Sequence, residues 1–121
     1  FGAGVVAHGD RLYVVGGNRD GAVVNQGLPH DFVHAADIDR TSGRLGPFRP
    51  QPKLLTPLTD AAVFVSGGRL FVAGGRRGAG NGRSSLIGSA VIRGDGELAP
   101  WDFQSHTQLP SGRSHQAAVE L

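Results

Sequence analysis

The chain has 121 residues, with 12 Lys and Arg against 10 Asp and Glu, 39% apolar residues, 20 glycines and no cysteine. That length suits one small domain with a modest core, and abundant glycine between short apolar runs points to many turns and short strands rather than to disorder. Disulfide and thiol chemistry are excluded, no run approaches the roughly 20 apolar residues of a membrane helix, and no secretory signal pattern opens the chain.

In chain order, "AGVVA" (Ala3–Ala7) reads as a first short strand, "HGD" as a tight turn and "RLYVV" (Arg11–Val15) as a second strand running into Gly16-Gly17. A polar loop, Asn18–Asp31, leads to a third strand near Phe32–Asp39, and "RTSGR" turns into a fourth around Phe48. After the connection Leu54–Asp60 the series starts again. "AAVFV" (Ala61–Val65), the turn "SGG" and "RLFVA" (Arg69–Ala73) run into Gly74-Gly75. The loop Arg76–Ser85, a strand near Leu86–Arg93, the turn "GDG" and a strand around Trp101 follow, and Gln108–Ser114 connects to a closing apolar stretch. The second strands carry apolar residues on both faces, as a strand buried between layers requires.

The restart is a repeat. "FGAGVVAHGDRLYVVGG" (Phe1–Gly17) lies over "TDAAVFVSGGRLFVAGG" (Thr59–Gly75) without a gap, with eight of seventeen positions identical. "AADIDRTSGRLGPF" (Ala35–Phe48) lies over "SAVIRGDGELAPW" (Ser89–Trp101) with one deletion, pairing Gly43 with Gly96, Leu45 with Leu98, Pro47 with Pro100 and Phe48 with Trp101. "LTDAAV" (Leu58–Val63) returns as "SHQAAV" (Ser114–Val119). A period of this length belongs to propellers or arrays, and four antiparallel strands per period make one propeller blade.

A hydrophobic strand ending in Gly-Gly, followed by an aromatic near the fourth strand, resembles the kelch repeat. Gly16-Gly17 and Gly74-Gly75 match its double glycine and Trp101 its Trp, with Phe48 substituting in the first copy. The third strand lacks the Tyr that usually precedes that Trp, while "LPSGRSH" (Leu109–His115) is similar to the segment leading into a new blade. The expected fold class is therefore all-β: four-stranded antiparallel kelch-type β-propeller blades in a partial propeller. Residues 1–58 form one blade, 59–114 a second, and 115–121 the first strand of a third. The resemblance implies a closed ring of six or seven blades, so two blades leave an apolar face at each end. Together with the missing Met, this makes the chain an expected excerpt whose further blades lie in the same polypeptide; self-assembly of copies into a ring is the second option. Arginine in place of lysine suggests a GC-rich bacterial source. The absence of cysteine leaves the compartment undecided, with a lean toward a secreted or periplasmic setting.

Strand alternation sends the short turns to one end of the blades and the long polar loops to the other, where function on β scaffolds concentrates. The expected binding residues are Arg19, Asp20, Asn25, His30, Arg76, Arg77, Asn81, Arg83 and Arg113, with Gln26 and Asp31 beside them. Arg19, Arg76, Arg77 and Arg83 suit a carboxylate-bearing partner through bidentate contacts. The expected function is an interaction module for a protein or peptide, acidic in character, with carbohydrate as a second ligand class. The alternative is part of a carbohydrate-active propeller enzyme of oxidase or mutarotase type, with its catalytic residues in other blades. The arginines are scattered apart from Arg76-Arg77 and no aromatic interleaves the loop after them, so neither nucleic acid nor membrane is an expected partner.

Other motifs fail on their chemistry, and no catalytic residue, metal or cofactor is assigned. "GGRRGAGNGRSS" (Gly74–Ser85) lacks the Lys and the helix of a phosphate loop. His30 and His34 have a metal spacing only on a helix, whereas Pro29 and "DFVHAADID" read as extended. Asp37 and Asp39 share one face of a strand but are replaced by Val91 and Arg93 in the second copy. Trp101 could stack a sugar, although Phe48 in its place favours packing. A copper-radical oxidase centre needs a Cys–Tyr crosslink, and the only tyrosine is Tyr13 in a core strand.

Overall fold

The structure, a computed structural model, describes residues 2–17, 30–77 and 84–103. All its named elements are strands: β1 (Gly4–His8), β2 (Arg11–Val15), β3 (Val33–Asp37), β4 (Arg49–Gln51), β5 (Ala62–Ser66), β6 (Arg69–Ala73) and β7 (Ile87–Val91). They form two antiparallel sheets, β1-β2-β3-β4 and β5-β6-β7, each ordered as in the sequence. The fourth strand expected around Trp101 is reduced, among the described residues, to one bridge between Ser89 and Asp102. In the first sheet the fourth strand begins one residue after Phe48.

The first three strands of each sheet repeat the same pairing, and the turns beyond them match. Tyr13 lies opposite Ala35 as Phe71 lies opposite Ser89, and Arg49 pairs with Ala35 as Asp102 bridges Ser89. The outer turns match too. Asp39 N donates to Arg44 O and Arg93 N to Glu97 O, both at 2.9 Å, while Gly46 N donates to Asp37 O and Ala99 N to Val91 O, again both at 2.9 Å. Arg44 and Glu97 are therefore equivalent positions, as are Arg49 and Asp102.

Because side chains alternate along a strand, the register sorts each sheet into two faces. Val6, Tyr13, Val15, Val33, Ala35, Arg49 and Gln51 lie on one face of the first sheet. Val63, Val65, Leu70, Val72 and Ala90 lie on the opposite type of face in the second. These two faces meet. Tyr13, Val15, Val33, Leu70, Val72, Leu98 and Trp101 join one buried cluster, with Leu54 and Leu58 from the connection closing it. Tyr13, Leu58 and Leu70 are at most 1% exposed, and truncating a buried leucine of this kind costs about 2–5 kcal/mol. Gly4 is required by that contact, since a Cβ there would run into Val63 of the other sheet.

A polar seam holds the sheets in register. Tyr13 Oη donates to the Gly96 carbonyl at 2.7 Å, and Trp101 Nε1 donates to the Pro52 carbonyl at 2.9 Å. Gln51 accepts from Leu98 N at 2.8 Å through Oε1 and donates to Glu97 through Nε2. Arg49 donates to Glu97 at 2.9 Å and to Asp37 at 3.3 Å. The Arg11 guanidinium lies where a Cβ on Gly96 would stand; its Nε is 3.5 Å from Asp37, a charge contact rather than a hydrogen bond. Burial pushes the Tyr13 phenol above its ordinary pKa, an effect the nearby Arg11 charge opposes, and the hydrogen bond to Glu97 raises that of Arg49.

Candidate functional site

The ends of β2 and β6 and the starts of β3, β5 and β7 gather at one end of the sheets, where the long polar segments leave. Both double glycines sit there. Gly16 and Gly74 have φ of 65° and 73° and donate to Phe32 and Leu86 carbonyls at 2.9 and 3.0 Å. A Cβ at Gly16 would enter the Leu58 carbonyl, so the backbone approach itself demands glycine. Gly17 N donates to Leu58 O at 2.8 Å, His30 N to Gly17 O at 2.9 Å and Ser84 N to Gly75 O at 2.7 Å. Thr59 and Arg76 exchange both backbone bonds, at 3.0 and 2.7 Å. Asp60 takes φ of 58°, a left-handed conformation that Asp tolerates better than most residues, and its N–H donates to Gly2 O at 2.7 Å. Backbone hydrogen bonds thus knit together the described residues at this end.

Of the sequence-predicted binding residues, the structure describes His30, Arg76 and Arg77. All three lie at this end, and His30 adjoins the half-buried Asp31. Arg19, Asp20, Asn25, Asn81, Arg83 and Arg113, like Gln26, lie outside the described residues. Arg76 is half-buried and its Nε is buried without a hydrogen-bond partner; among the described residues Arg11 Nε shares that state, but Arg11 has Asp37 as a charge partner. Arg77 is exposed. His30 Nδ1 accepts weakly from Phe32 N at 3.3 Å, and its ring lies 5.1 Å from that of Phe32.

Phe32 stands between His30 and His34 and also carries Lys53 over its ring at 5.1 Å, so the two histidines flank an aromatic instead of converging on a common point. No group of three metal-binding side chains occurs among the described residues. Asp37 and Asp39 have separate tasks. Asp37 pairs with Arg11 and Arg49. The Asp39 carboxylate accepts from Thr41 N at 2.9 Å and Ser42 N at 3.3 Å, and these bonds, Thr41 foremost, hold it below the usual carboxylate range. Trp101 is 5% exposed and its N–H is committed to Pro52, so it offers no stacking platform, whereas Phe48 at the equivalent register is 48% exposed. The segment resembling a phosphate loop is flanked by β6 and β7, both strands.

The residues that sequence reasoning missed are those of the seam: Arg49, Gln51 and Glu97. Their partners are 46 to 48 residues apart in the chain, and the repeat alignment hides two of them, since Asp102 stands at the position of Arg49 and Arg44 at that of Glu97, while Gln51 recurs as Gln104. The charge difference between Arg44 and Glu97 was the available signal. The chain matches no known family profile and no curated protein.

Proposed function

We propose that the chain comprises consecutive blades of a kelch-type β-propeller and works as an interaction module, taking an acidic segment of a protein or peptide at the long-loop end. Support for the blade reading comes from two sheets whose first three strands repeat the same pairing, with double glycines where the second strand of each must leave it. The observation that carries the binding reading is Arg76. A guanidinium donor buried without a partner costs free energy until an acceptor reaches it, and a carboxylate beside the exposed Arg77 supplies both the acceptor and the charge. The backbone web around Thr59 and Arg76 supports the same reading, because a preorganised donor loses little entropy on binding.

The test is fluorescence anisotropy of a labelled glutamate-rich peptide titrated with the chain and with its Arg76→Ala/Arg77→Ala variant. At least a tenfold loss of affinity, with an unchanged melting temperature, is expected. Equal affinity in the two proteins overturns the assignment.

A further inference from the structure

We infer that Asp60 is a positioning residue for the Arg76 site: its left-handed backbone holds Thr59 in the pairing that fixes where Arg76 stands. The inference rests on the binding role proposed above and names a residue on which that role depends. Asp60 is, among the described residues, the one non-glycine with a positive φ, 58°. The repeat sets Asp60 against Gly2, whose φ of 75° is also left-handed. Each copy therefore takes this conformation just before its first strand, and the second copy takes it with a residue for which it costs free energy. Strain of that kind persists only where the surrounding structure enforces it, and it concentrates at functional sites.

The enforcing bonds come from both copies of the repeat. Leu58 O accepts from Gly17 N at 2.8 Å and Asp60 N donates to Gly2 O at 2.7 Å, both toward the first copy. Between them Thr59 turns its N–H and its carbonyl the other way, to the carbonyl and N–H of Arg76 at 3.0 and 2.7 Å. Thr59 Oγ1 adds a bond to Gly2 O at 3.3 Å, and Thr59 is buried. At Asp60 the chain must then turn so that Ala62 can pair with Ala73. Packing beside the turn is tight: a Cβ on Gly75 would stand 2.8 Å from the Thr59 carbonyl and 3.0 Å from the Ala61 side chain. A backbone that left the left-handed region at Asp60 would therefore pull Thr59 from Arg76 or Ala62 from Ala73. Losing the first pairing frees the Arg76 backbone, and with it the direction in which the buried Nε is presented. A donor that must be ordered again on binding binds less tightly.

The experiment is a substitution series at Asp60 in the whole chain, read by amide hydrogen exchange and by titration with the labelled glutamate-rich peptide. Asp60→Asn and Asp60→Gly accept the left-handed conformation and are expected to keep Arg76 amide exchange and peptide affinity within about threefold of wild type. Asp60→Val is β-branched and does not accept it, so exchange at the Thr59 and Arg76 amides should quicken, and affinity fall, by about tenfold or more. Exchange at Leu70 and Val72 within β6 should rise by a smaller factor, which separates local opening from general destabilisation. Asp60→Ala, a milder change in the same direction, serves if Asp60→Val does not fold. Unchanged Arg76 exchange in the Val and Ala variants overturns the inference and leaves the binding role standing, as does faster exchange with full affinity. An Asp60→Asn variant as weak as Asp60→Val also overturns it, because the carboxylate rather than the backbone then decides binding. A wild-type chain that does not bind the peptide removes the binding role itself, and this inference with it.

Discussion

Removing a single oxygen, in Tyr13→Phe, tests how the two sheets are held together. The Tyr13 hydroxyl crosses the sheet interface to the Gly96 carbonyl at 2.7 Å, and both residues are buried. The phenyl ring itself fits such a strand, because Phe71 occupies the same place in the second sheet. The cost is thus that of the lost bond together with a buried carbonyl left unpaired, about 1–3 kcal/mol. For a chain of this size each kcal/mol lowers the melting temperature by about 3–5 °C. Urea unfolding followed by circular dichroism measures the difference, with the slope against urea unchanged. Burial of the same hydroxyl makes a pH signature. The folded phenol titrates above its unfolded value, so its contribution is complete below about pH 10 and disappears as the pH rises through the folded pKa. Wild-type stability should fall in that alkaline range, and the variant should lack this component. A change under about 0.3 kcal/mol with identical alkaline profiles would refute the seam as described.

Trp101→Ala should cost about 3–5 kcal/mol, since it empties a buried site and releases the Pro52 carbonyl. Phe48→Ala, at the equivalent but exposed position, should cost under about 1 kcal/mol in dilute solution; thermal denaturation of both variants tests the contrast, and equal losses would contradict the face assignment. Gln51→Ala strips the acceptor from the Leu98 N–H and a donor from Glu97, for an expected loss of about 1–3 kcal/mol. Hydrogen exchange at the Leu98 amide should accelerate in that variant, and unchanged protection would count against the bond.

The double glycines, the hairpin turns and the restart after Leu58 were legible in the sequence because they are local: each follows from residues within a few positions of one another. The third strands came out shorter than expected, Val33–Asp37 instead of Phe32–Asp39 and Ile87–Val91 instead of Leu86–Arg93, because Ile38 and Ile92 pair across the following turn by single bridges. The alignment rightly set Phe48 against Trp101 but said nothing of their burial, which depends on whether another sheet lies over them. At the site, strand alternation placed His30, Arg76 and Arg77 at one end of the sheets, where the described residues have them. That Arg76 Nε would be buried and unpartnered was not readable, since it arises from the pairing of Arg76 with Thr59, which only the folded chain brings together.

The most direct measurement is a ¹H–¹⁵N correlation spectrum of the labelled chain during titration with the glutamate-rich peptide at low ionic strength. Shifts are predicted to concentrate on Gly17, His30, Thr59, Arg76, Arg77 and Ser84 at the long-loop end. The opposite turns at Gly9-Asp10, Gly67-Gly68 and Gly94-Asp95 should stay unmoved. Shifts confined to those turns, or no shifts at peptide concentrations that saturate anisotropy, would contradict the account.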